Sequence, residues 1–121
     1  MTSNTKSRPK SKKKATKPHH SVYVVELDNE VLSNKKFRDA NPGCNTDLAC
    51  LYVGMTGLTP KERFENHKKN HKANCFVRDY GLWLRKKMFQ RRNPMTYEDA
   101  CKMEESLAIK LREKGHAVWQ H

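Results

Sequence analysis

Across 121 residues no apolar run approaches the length of about 18 that crosses a bilayer, and the basic N-terminus lacks the apolar core of a secretory signal. A soluble, cytoplasmic chain is the expectation. Cysteine is sparse, and Cys44, Cys50, Cys75 and Cys101 include no C-x-x-C pair, a pattern that fits buried, reduced thiols better than a disulfide framework. No internal repeat is visible. Residues 1–20 contain no acid beside seven Lys and Arg, and no aliphatic run. Such a segment cannot bury enough apolar surface to offset its ordering entropy, so it is expected to be a disordered basic arm.

Of the formal net charge of +12, the arm supplies +7, leaving +5 for residues 21–121, which are expected to form one domain. An arm of this kind attracts phosphates without sequence preference, through counterion release. Lys12, Lys13 and Lys14 are its densest cluster. Lys72 and the basic segment Arg85, Lys86, Lys87, Arg91 and Arg92 extend the expected nucleic-acid contacts into the domain.

What the domain does contain is two β-branched, aromatic segments, Ser21 to Leu27 and Leu51 to Thr56, that read as strands. Between them lies a long polar connection with an Asn41-Pro42-Gly43 turn signal and a short apolar group, Val31, Leu32 and Phe37, suited to a helical turn. Ordered connections of that length are uncommon unless functional. After the second strand, Thr59-Pro60-Lys61-Glu62 combines an N-cap, a first-turn proline and a capping-box glutamate, which predicts a helix starting near residue 60 and ending near His71. At about 100° per residue, Arg63, Phe64, His67 and His71 share one face of it.

Residues 73–80 suggest a short helix stopping at Gly81, Leu82-Trp83-Leu84 a brief third strand, and His116 to Trp119 a last one. Thr96 opens the clearest helix, with Gly115 past its end and an apolar stripe of Tyr97, Ala100, Met103, Leu107, Ala108 and Leu111. Glu104 falls inside that stripe. An unpaired buried carboxylate costs several kcal/mol, so Glu104 should be protonated, paired with a cation such as Arg63, or bound to a metal.

Cleavage of a phosphodiester needs a positioned nucleophile and positive charge where negative charge gathers. One carboxylate with one divalent cation, an arginine fork on the phosphate, and tyrosine and histidine groups for proton transfer would suffice. The order of these segments resembles the GIY-YIG nuclease superfamily. Val22-Tyr23-Val24 stands where that family has Gly-Ile-Tyr, Tyr52-Val53-Gly54 stands for Tyr-Ile-Gly, and the stretch from Tyr52 to His67 carries the most specific likeness.

The resemblance runs from about Ser21 to Trp119 and implies an α+β fold, a small three-stranded antiparallel sheet flanked by helices. It further implies a metal-dependent endonuclease acting on nucleic acid, with DNA the expected partner. In that reading Tyr23 and Tyr52 line the site, Arg63 stabilises the phosphate, His67 assists proton transfer and Glu104 binds a single Mg²⁺ or Mn²⁺. The alternative is a catalytically inactive nucleic-acid-binding module of the same fold. A third reading, a zinc-stabilised binder, would draw on Cys44, Cys50, His67 and His71.

Overall fold

The structure, a computed structural model, describes residues 18–69 and 75–120. Four strands form one sheet: β1 (Ser21–Leu27), β2 (Cys50–Thr56), β3 (Gly81–Leu84) and β4 (Ala117–Gln120). Their order is β3-β1-β2-β4, with β1 antiparallel to β2 and β3, and β4 parallel to β2. The sheet is thus mixed and four-stranded. The expectation of three antiparallel strands is corrected by β4, whose four residues pair from Cys50↔Ala117 to Val53↔Gln120.

Helices α1 (Lys35–Asp39), α2 (Pro60–Lys69), α3 (Cys75–Tyr80) and α4 (Tyr97–Glu113) pack around the sheet. The capping box of α2 forms as its residues dictate: Glu62 N donates to Thr59 Oγ1, and Thr59 N donates to Glu62 Oε1, both at 3.1 Å. Thr59 N, and Thr59 Oγ1 at 3.0 Å, both donate to Glu62 Oε1 and hold its carboxyl below the usual carboxylate range. Helix α2 is described to Lys69; His71 lies outside the described residues. Thr96 caps α4, accepting from Asp99 N at 3.1 Å, and Gly115 follows at φ +106°, a conformation that favours glycine.

Alternation along the strands sends Tyr23, Val25, Gly54 and Tyr52 to one face, where α2 and α3 pack. Val22 and Met55 leave the opposite face and meet α4, with Cys101 Sγ 3.6 Å from Met55 Sδ. Gly81 marks a close approach between α3 and β3, since a Cβ there would sit 2.5 Å from the Val77 carbonyl oxygen.

The connection between β1 and β2 proves to be a structural element. A 3-10 turn (Asn29–Ser33) and α1 bury Val31 and Phe37, and Phe37 packs against Phe76 with ring centroids 5.5 Å apart. Past α1, Asn41 hooks the chain to the sheet. Its Nδ2 donates to Phe37 O at 3.0 Å, and its Oδ1 accepts from Val118 N at 2.8 Å and from Arg112 Nε at 3.4 Å. The length of this segment therefore serves the packing of β4.

The free edge of β1 is also covered. β3 pairs with its second half, while the Asn93 side chain takes the place of a strand at Val22, donating to Val22 O at 2.7 Å and accepting from Val22 N at 3.0 Å. His20 then forms an antiparallel bridge with Met95.

Candidate active site

The face carrying the two tyrosines holds one of the polar clusters of the domain interior. Gly54 lies directly across from Tyr23 in the strand register. Having no side chain, it lets the Tyr23 ring fold over the neighbouring strand: a Cβ at Gly54 would stand 2.7 Å from Tyr23 Oη and 3.0 Å from a Tyr52 ring carbon. The two rings come to rest with centroids 6.1 Å apart.

His67, wholly buried on α2, closes over them. Its Nε2 is hydrogen-bonded to Tyr23 Oη at 2.8 Å, and its ring meets that of Tyr52 edge-on at 5.6 Å. Arg63, one turn earlier on α2, interacts with the Tyr23 hydroxyl, and its positive charge is felt by both phenols. Glu104, on α4 and 8% exposed, lies near enough for its charge to oppose ionisation of both. Tyr23, Tyr52, Arg63, His67 and Glu104, expected to converge, are thus brought together.

Burial is the leading influence on both tyrosines, holding their pKa values above the ordinary tyrosine value, with Arg63 working against it. The two differ in their bonding. Tyr23 has a partner in His67, whereas the Tyr52 hydroxyl is fully enclosed and makes no hydrogen bond of good geometry, although the two phenols influence each other's ionisation.

Two alternatives are narrowed. Among the described residues the ion pairs are Lys35–Asp39, Arg78–Asp79 and Arg85–Glu26, and an Arg63–Glu104 pair is not one of them. Among the described residues no three His, Cys, Asp or Glu side chains group as a metal cage, so Cys44, Cys50 and His67 do not build a zinc site. Cys50 is an enclosed thiol pushed up to about 11, chiefly by burial and then by Cys44.

A single carboxylate beside two hydroxyls is a sparse, all-oxygen donor set. It fits Mg²⁺ or Mn²⁺, hard cations that retain waters and need few protein ligands, and it does not fit a four-ligand site.

Of the residues expected to touch nucleic acid, Lys86 and Lys87 are exposed on a 3-10 turn (Lys86–Met88). Arg85, partly exposed, is committed to an ion pair within the chain, its Nη1 donating to Glu26 Oε1 at 2.8 Å. Lys12, Lys13, Lys14 and Lys72 lie outside the described residues. Tyr97, read as core, is instead 53% exposed; a hydrogen bond with Cys101 leads the influences raising its pKa, and Glu104 adds to them. Its place at the first helical position, where few neighbours can cover a side chain, was the available signal. Gly54 acquires a role that spacing alone did not assign.

Comparison of the chain with protein-family models, curated proteins and solved structures finds no match.

Proposed function

We propose that the protein is a metal-dependent endonuclease that hydrolyses phosphodiester bonds of nucleic acid, with DNA the expected substrate. The observation that carries this reading is the convergence of Tyr23, Tyr52, Arg63, His67 and Glu104 on one small buried polar cluster. A core of this size has no structural need for two neighbouring phenols beside a histidine, a guanidinium and a carboxylate.

Each group has a task its chemistry suits. Glu104 would hold the divalent cation, which when bound supplies positive charge to the scissile phosphate. Arg63, half-buried and planar, clamps a non-bridging oxygen and offsets charge in the transition state. Tyr23 is the better proton carrier of the two phenols, because His67 Nε2 stands 2.8 Å from its hydroxyl and can exchange a proton with it. Tyr52, enclosed and without a hydrogen bond of good geometry, is left to orient the attacking water or the phosphate.

The experiment is a panel of single-stranded, duplex, flapped and branched substrates incubated with the purified chain and Mg²⁺ or Mn²⁺. Cleavage by the wild type that disappears in Glu104→Ala supports the enzyme. Binding of these substrates without any cleavage would favour the inactive module instead.

A further inference from the structure

A cavity of about 430 Å³ opens beside α4, distinct from the tyrosine pair. Phe89, Met95 and Met103 belong to its apolar floor, and Lys87, Arg91, Arg92 and Lys110 stand around it. Among the described residues no acidic side chain lines it, the nearest being Asp99 in the shallower hollow that continues from Arg92, Met95 and Met103. Elsewhere Lys35, Arg78 and Arg85 each have a carboxylate, yet none of these four cations forms an ion pair among the described residues. Arg92 instead lies against the floor, Nη1 3.6 Å from Met103 Sδ. Like charges collected around a concave apolar surface repel one another, and an anion placed among them relieves that repulsion.

The occupant must combine a flat apolar body with negative charge. A nucleotide has both. The volume falls within the range of about 300–1,000 Å³ usual for small-molecule sites, ample for one base and its phosphate and far too small for a duplex. The cavity lies on the other face of β1 from the tyrosines, Val22 lining it while Tyr23 faces α2, and α4 serves both, with Met103 lining the cavity and Glu104 placed toward the tyrosines.

We infer that this cavity holds one unstacked nucleotide of a single strand, its base on the Phe89–Met95–Met103 floor and its phosphate on Lys87, Arg91, Arg92 and Lys110. This deepens the nuclease reading and rests on its nucleic-acid substrate: the favoured substrate carries a single-stranded segment. Stacking on such a floor tolerates any base, so the cavity selects strandedness and not sequence.

The test is equilibrium binding of the full chain, in chelator, to a labelled short single strand, the same strand with abasic positions, and a blunt duplex. Wild type is compared with the double variant Arg91→Glu, Lys110→Glu, both positions being exposed and outside the core. The expected result is about tenfold or more weaker binding of the single strand by the variant. Its salt slope should be shallower by about 0.7, the value for the one phosphate the cavity holds.

Abasic strand should bind the wild type more weakly than intact strand, and duplex affinity should barely respond to the variant. Unchanged single-strand affinity overturns the proposal, and an equal loss on all three ligands replaces it with an unselective cationic surface. Binding in chelator does not require cleavage, so the two readings fail separately. A wild type that holds single strands through Arg91 and Lys110 yet never cuts keeps the cavity and loses the nuclease.

Discussion

Asn41 and Tyr52 are both shut away from solvent, and their polar atoms are treated differently. Asn41 uses its side chain to the full, tying Phe37, Val118 and Arg112 together, while Arg112 Nη2 donates to Val118 O at 2.9 Å. Tyr52 keeps a hydroxyl enclosed with no bond of good geometry, beside an arginine and a carboxylate whose charges it feels. Interiors as a rule satisfy their polar groups. The first cluster follows that rule and stabilises the fold; the Tyr52 hydroxyl departs from it, which the proposed chemistry would account for.

The sharpest way to break this contrast is to remove charge from the second cluster. Arg63→Ala and Glu104→Ala should each lower cleavage by about 100-fold to 1,000-fold, measured as initial rate on the best substrate, since each removes an oriented group that acts on developing charge. Retained cleavage in both variants would leave the cluster without a catalytic role.

Next in size comes the geometry of the phenols. Gly54→Ala places a methyl 2.7 Å from Tyr23 Oη, so the ring must move off His67. Cleavage should fall by up to about 100-fold, as misplacement of about 1 Å can do, together with a stability loss of about 1–3 kcal/mol because both rings are enclosed. Gly81→Ala is the control for the stability loss alone. Its methyl meets the Val77 backbone 2.5 Å away, so stability should fall by about 1–3 kcal/mol in denaturant titration.

In the first cluster, Asn41→Ala leaves Val118 N–H and the Arg112 guanidinium short of an acceptor. A loss of about 1–3 kcal/mol is expected by denaturant titration, with cleavage unchanged at temperatures where the variant stays folded.

The smallest effect separates the clusters most clearly. Tyr52→Phe deletes a hydroxyl without a well-formed bond and should leave melting temperature equal or higher, while slowing cleavage. The same substitution tests the titration. Because both folded-state phenol values lie above the ordinary tyrosine value of about 10, the folded state keeps their full contribution below that pH and loses it as pH rises toward the elevated values. Alkaline unfolding monitored by circular dichroism should be shallower in Tyr52→Phe than in wild type.

The local signals in the sequence were the reliable ones. Caps at Thr59 and Thr96, a break at Gly81 and a carboxylate in an apolar stripe each depend on a few neighbouring residues, and each appears as the residues require. Sheet membership was not local. Whether β4 joins, and in which direction, depends on Asn41 and Arg112 meeting Val118 across the chain.

The site was legible through spacing on α2 and α4, but the Tyr23–His67 bond and the opening at Gly54 arise from strand register, which no single segment carries. The apolar cavity stayed hidden for the same reason, since its lining comes from Val22, Phe89 and Met103, widely separated in the chain. Among the described residues no helix is long and apolar enough to cross a membrane.

The Asn93 amide alongside Val22 has a consequence for how copies of this chain behave toward one another. Exposed strand rims are templates on which a second molecule can add its own backbone, the first step toward fibres. With Asn93 and Met95 occupying one stretch beside β1 and β3 the other, the outer edge of β1 offers no such template. The rims that remain among the described residues belong to β3 and β4, each four residues long, and to residues 54–56 of β2 beyond its pairing with β4. A side-chain amide here does the work of a missing strand and keeps the protein from becoming its own seed.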